Sequence, residues 1–128
     1  MIVVIPMLKK IDFDYDFEND SLFLYDSKSK SKASIEMDDI IIDFNNKKEV
    51  SAIELLNASN FFEGMEFEGE ETIDKNMLKD IKECKIDVIA KSNFLVIKLL
   101  LVFKSMKTLA APLIVPGIHK PSPAVAMV

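Results

Sequence analysis

Ile11, Phe13, Tyr15 and Phe17 alternate with Asp12, Asp14 and Asp16, so apolar side chains and carboxylates take turns along the chain. A two-residue period sends the two sets to opposite faces of a β-strand, one half-buried and one in water. Glu18–Ser21 supplies turn residues, and Leu22–Tyr25 returns as the second arm of a hairpin. Beyond a Ser/Lys stretch at 27–32, a third strand is expected from Ile35 through Asp39-Ile-Ile-Ile-Asp-Phe44. A turn at Asn45–Lys48, where Asn tolerates left-handed backbone, leads into a fourth strand over Val50–Leu56. A short β-branched run, Ile2–Ile5, precedes all of these and is stopped by Pro6.

The pattern changes after residue 56. Asn57-Ala-Ser59 reads as a helix N-cap, because either short polar side chain can accept from a free backbone N–H. Glu63–Glu71, with Gly64 and Gly69, reads as an acidic loop. Met77, Leu78, Ile81 and Cys84 fall at helical spacing behind a capping Asp74, which predicts a helix through Cys84. Strands follow at Ile86–Ala90, Phe94–Lys104 and Met106–Val115, with a turn at Ser92-Asn93. In the long strand, Leu95, Ile97, Leu99, Leu101 and Phe103 are apolar on one face, and the other holds Phe94, Val96, Leu100 and Val102 around Lys98. A strand apolar on both faces must be covered on both, by the rest of the fold or by a second copy, which favours a homodimer. Four prolines, Pro112, Pro116, Pro121 and Pro123, end the sheet near Pro116 and leave an extended, apolar-tipped arm.

These elements predict an α+β fold of predominantly antiparallel β-strands in two similar halves, with one main helix between them. Residues 1–60 form a first β half, 61–84 an acidic loop and helix, 85–116 a second β half and 117–128 a Pro-rich tail, all in one domain.

Composition narrows the function classes. A chain of 128 residues that is 49% hydrophobic and 29% charged can bury a core, and its formal net charge of −5 repels phosphate backbones. Lys28, Lys30 and Lys32 are the one local basic run, and between serines they read as a solvated loop, so no nucleic-acid partner is expected. One cysteine, Cys84, precludes an intramolecular disulfide and suits a reducing cytoplasm. The apolar run Phe94–Phe103 is ten residues long and contains Lys98, against about 20 needed to cross a bilayer as a helix, so no membrane partner is expected. The opening residues place their charges after the apolar run, the reverse of a secretory signal, which again points to the cytoplasm.

Carboxylates carry the candidate chemistry. Asp12, Asp14 and Asp16 share one strand face, an oxygen density that a hard divalent cation such as Ca²⁺ or Mg²⁺ would accept. The EF-hand pattern fails, since Phe17 stands where that loop needs Gly and Phe23 where it needs Glu. The plainer reading is a solvated face whose charge resists edge aggregation. Asp39, Asp43 and Glu54 form a second candidate set that could meet across a hairpin, to bind a ligand or a metal. For Glu54 the plainer reading is a hydrogen bond to Asn57 or Ser59. His119 has no Ser or Cys nucleophile near it, Cys84 sits on an apolar face, and glycine-rich phosphate loops, HExxH, CxxC and GxSxG are absent. No catalytic residue and no cofactor are therefore expected, with a divalent cation as the alternative.

Tyr15-Asp-Phe-Glu-Asn-Asp-Ser-Leu22, then Asp39-Ile-Ile-Ile-Asp-Phe44, then Ile53-Glu-Leu-Leu-Asn-Ala-Ser59 resembles an uncharacterised family, domain of unknown function 2283, over roughly residues 13–60. Lysine stands at the hairpin position where that family often has Gly, and Ala52 where Gly often precedes the Ile-Glu pair. The resemblance implies a small β-rich fold and brings no catalytic residue. The function expected is a non-enzymatic, homo-oligomeric interaction or regulatory protein with a possible protein partner. The alternative is a protein that binds a divalent metal or small ligand through its clustered carboxylates.

Overall fold

The alternation at residues 11–16 is realised as β1 (Lys9–Asp16), which a turn over residues 17–20 joins to β2 (Ser21–Tyr25). The computed structural model describes residues 8–63, 65 and 73–116. The expected strand Ile2–Ile5, most of the acidic stretch Glu63–Glu71, and the tail with His119 lie outside the described residues. Then follow β3 (Ala33–Met37), β4 (Ile40–Phe44), β5 (Val50–Leu55), α1 (Ala58–Phe62), α2 (Lys75–Leu78), β6 (Ile81–Ala90), β7 (Phe94–Phe103) and β8 (Thr108–Pro116). All eight strands make one antiparallel sheet in the order β3-β4-β5-β2-β1-β6-β7-β8, curled into a half-barrel.

One strand joins its two parts. Lys9–Ile11 of β1 pair with Cys84–Ile86 of β6, and from Asp12 onward β1 pairs with β2 instead. Every strand turns one face inward. Leu22, Leu24, Ile42, Ile53, Leu55, Ile97, Leu99 and Leu101 are almost wholly buried there, together with Phe62 of α1 and Leu78 of α2. Burying each such side chain stabilises the fold by roughly 1.5–3 kcal/mol before entropy is set against it. The helices sit at one end of the half-barrel with the β1–β2 turn, since Ala58 N donates to Asp20 O (2.8 Å) and Lys104 N to Asp80 O (2.8 Å).

Antiparallel sheet dominates as expected, but three expectations need correction. The single third strand is a hairpin, β3 and β4, turned at Asp38-Asp39; Asp38 takes a left-handed φ of 50°, which Asp tolerates better than most residues. Among the described residues there is no main helix: α1 and α2 have five and four residues, and Ile81 and Cys84 lie on β6. The misleading spacing comes from a bulge. Ile81 pairs with Phe103 and Glu83 with Val102, so the extra residue, Lys82, lets Ile81 and Cys84, three apart, both be buried. The halves also differ, with five strands in the first and three in the second.

They do share one turn. Asn45 N donates to Glu49 O (2.9 Å) and Lys48 N to Asn45 O (3.0 Å); Phe103 N and Met106 N repeat this with Lys107 O (2.9 Å) and Phe103 O (2.8 Å). In each, the fourth residue is left-handed, Lys48 at φ 64° and Met106 at φ 71°. Three-residue hairpin loops of this kind favour Gly at that place.

Candidate functional site

Both carboxylate sets lie on or beside the outward face of β1, β2, β5 and β4. Asp12, Asp14 and Asp16 are exposed and stand opposite Tyr25, Phe23 and Ser21. On the far side of β2, Phe23 is paired with Glu54 and Tyr25 with Ala52, and beyond these lie Ile41 and Asp43 on β4. Phe23 and Tyr25 are stacked, with centroids 5.0 Å apart and planes 20° from parallel. An aromatic pair thus runs down β2 with carboxylates on both flanks.

The carboxylates do not converge. Asp39 accepts from Asn57 Nδ2 (3.3 Å), Asp43 from Ser34 Oγ (2.5 Å) and Ser31 Oγ (3.1 Å), and Glu54 from Ser21 Oγ (3.2 Å). The register explains this, because Asp43 faces Ala52, and Glu54 faces Ile41. Glu54 therefore bonds across to β2 rather than to Asn57 or Ser59. Asp16 accepts from Asn19 Nδ2 (2.7 Å) and Asn19 N (3.2 Å), and those bonds hold its carboxyl below the ordinary range. Among the described residues no three His, Cys, Asp or Glu side chains come together in a way that could hold a metal.

The densest polar cluster is one that strand periodicity did not single out. Asp20, at φ 52° in the β1–β2 turn, accepts from Tyr15 Oη (2.6 Å), Ser59 N (3.1 Å) and Ser59 Oγ (2.5 Å). It caps α1 from outside the helix, while Asn57, in the N-cap position, makes no side-chain cap and is itself left-handed. Burial, then the bond to Asp20, push the Tyr15 hydroxyl well above its ordinary range, so it donates as a neutral group. Tyr15, Asp20 and Ser59 all belong to the quoted motifs, which could have flagged the cluster. The motifs therefore close the two ends of one segment on each other.

Elsewhere, Cys84 is buried and its thiol is pushed up to about 12, chiefly by burial and then by the Glu83 charge. Lys75 and Lys79 both place Nζ over the Phe17 ring, at 4.6 and 4.7 Å, tying α2 to the β1–β2 turn. At the end away from the helices, where β1 leaves β6 for β2, a cleft of about 800 Å³ opens. Lys9, Lys10, Lys28 and Lys48 line it against Asp12, Asp26, Glu49 and Asp87, a mixture of signs that selects no single charged ligand. Among the described residues no helix is long and apolar enough to cross a membrane.

Comparison with known proteins gives a family and two relatives. The model described as "Protein of unknown function (DUF2283)" matches residues 12–59. An uncharacterized protein of Methanocaldococcus jannaschii is 49% identical over 53 residues, 41% of this chain and 46% of that protein. A Methanosarcina mazei protein with the provisional name hypoxanthine phosphoribosyltransferase is 39% identical over 89 residues, 68% of this chain and 65% of that protein. The chain thus spans less than two thirds of the length of either relative. No solved structure matches. Residues 12–59, which hold the motif clasp from Tyr15 to Ser59, match this family of unknown function, whose domain covers part of the chain.

Proposed function

We propose that this is a non-enzymatic interaction or regulatory protein that works as a homo-oligomer and offers the outward face of β1, β2, β5 and β4 to a basic protein partner. The observation that carries the reading is the stacked Phe23–Tyr25 pair between Asp12 and Asp14 on one side and Glu54 on the other. Phe23 is 37% exposed, a large ring open to solvent in a field of negative charge. Arginine and lysine side chains suit such a surface, because the ring face and the carboxylates attract the same cation. Asp20, Asp39, Asp43 and Glu54 each already accept from a protein donor, which favours architecture over acid–base chemistry for them. The transferase activity in the name of the Methanosarcina relative belongs to that protein.

Fluorescence anisotropy with a labelled octa-arginine peptide tests the face. Phe23→Ala, which leaves the charge unchanged, and Asp14→Asn are each expected to weaken binding about five- to tenfold, in line with the loss of one cation–π or one charge contact. Asp80→Asn, an exposed carboxylate beside α2, is expected to change it little. Equal losses for Asp14→Asn and Asp80→Asn, with none for Phe23→Ala, would reduce binding to net charge and defeat the reading.

A further inference from the structure

The outward face changes character across the sheet. On β6–β8 it carries Ile89, Phe94, Val96, Leu100, Val102 and Ile114, and Ile114 is 61% exposed. At its middle, Asp87 on β6 stands directly opposite Lys98 on β7, and no ion pair joins them. We infer that this face is a self-association surface and that its occupant is a second copy of the same chain, meeting it face to face. The inference rests on the homo-oligomeric part of the reading above and adds where the copies meet.

Three observations select the occupant and the mode. The first is charge. Anion and cation lie side by side on neighbouring strands, so a second copy turned over by a twofold axis running along the strands above the β6–β7 gap presents the same two groups with their places exchanged. Lys98 of each copy then lies over Asp87 of the other, and the contact gains two ion pairs beside the Lys85–Glu83 pair that each copy already carries on the same face of β6.

The second is the edge. β8 is the last strand of the sheet, and Pro112 and Pro116 lie on it at positions opposite Lys98 and Phe94. A proline nitrogen has no hydrogen to give β7, so at these alternate positions the backbone faces the open edge. At those two positions the edge offers a docking strand no donor, which disfavours continuation of the sheet on this side.

The third is area. With this axis β6 and β7 of one copy cover β7 and β6 of the other, nine paired residues at about 3.4 Å each on strands about 4.8 Å apart, and β8 covers the three residues of β1 beside β6, which makes a patch of roughly 400 Å² per copy. A pair buries about 800 Å² or somewhat more, at the low end of specific interfaces, so the dimer is expected to dissociate in the micromolar range.

Sedimentation equilibrium of the full chain from 1 to about 200 μM, a span chosen to cover that range, tests this. The mass is expected to move from one toward two times 14.5 kDa. Ile114→Asp is expected to stay monomeric, with an unchanged circular dichroism spectrum because the side chain is mostly solvent-exposed. Lys98→Glu and Asp87→Lys are each expected to be monomeric alone and to form a dimer when mixed, an outcome that only contact between copies can give. A wild-type chain that is monomeric throughout would overturn both this inference and the oligomeric reading, and would leave octa-arginine binding untouched. A dimer that persists in Ile114→Asp, with no rescue on mixing the charge variants, would overturn the surface while keeping the oligomer. A dimer lost only on deletion of residues 117–128 would assign association to the tail and overturn the inference as well.

Discussion

The two parts of this sheet are stabilised by different means. In β1–β5 the strands beyond β1 are five or six residues long, and side-chain hydrogen bonds are dense: the clasp at Asp20, the Ser31 and Ser34 bonds to Asp43, and Asn45 Oδ1 accepting from Lys47 N and Glu49 N. In β6–β8 the strands run nine or ten residues, and side-chain bonds among the described residues are few, such as Lys82 Nζ to Met106 Sδ at 3.8 Å. Register explains the contrast. A one-residue slip of a long strand with an apolar inner row would turn many buried side chains outward, so length fixes pairing by itself. A short strand has fewer side chains to lose by slipping, and polar bonds at turns and ends supply the missing constraint.

That contrast can be broken from either side. The strongest expected effect concerns Cys84, on the inner face of β6. With its thiol near 12 against an ordinary 9.0, roughly a thousandfold less thiolate is present in the folded protein at neutral pH. Iodoacetamide should label it only as fast as the chain opens. Because the folded value is raised, the stability linked to this group is present below pH 9 and is lost as pH rises from 9 toward 12, which denaturant midpoints measured across that window will show. Next, Leu101→Ala, at a wholly buried site on β7, should cost about 3 kcal/mol in urea unfolding. Asp20→Ala should cost about 2 kcal/mol, since it leaves Tyr15 and Ser59 without their acceptor and α1 without its cap. A loss below 0.5 kcal/mol would mean the polar clasp is not what holds the first part. The smallest effect has the opposite sign. Lys48→Gly should stabilise by about 0.5 kcal/mol, by relieving a left-handed lysine, and Met106→Gly should do the same in the matching turn.

How much of this was legible in the sequence depended on whether the signal was local. β1, β2, β5 and β7 follow from two-residue alternation and turn residues, and the described part of β8 runs to Pro116. The β3–β4 hairpin was missed because its turn, Asp38-Asp39, contains no glycine and lies within a run otherwise fit for one strand. The helix through Cys84 was inferred from a three-residue spacing that a bulge on β6 produces equally well. At the candidate face, the alternation put Asp12, Asp14 and Asp16 outward, and the structure agrees. The clustering of Asp39, Asp43 and Glu54 required knowing the register, and the register sends each to its own donor. The Asp20 clasp joins residues 39 apart in the chain, a separation that no local pattern reports.

The handover within β1 has a consequence for how such a protein can grow. The family segment begins at residue 12, where β1 starts to pair with β2, and the three residues before it are the ones that pair with β6. A lone segment of this kind would leave β1 as a bare border, with a row of amide hydrogens and carbonyl oxygens open to any passing strand. Extending that border strand backwards by one short stretch provides a splice: a meander can be grafted on without moving a single pairing inside the original unit. The hazard of an open edge and the ease of adding a new module there are the same backbone chemistry, seen before and after the graft.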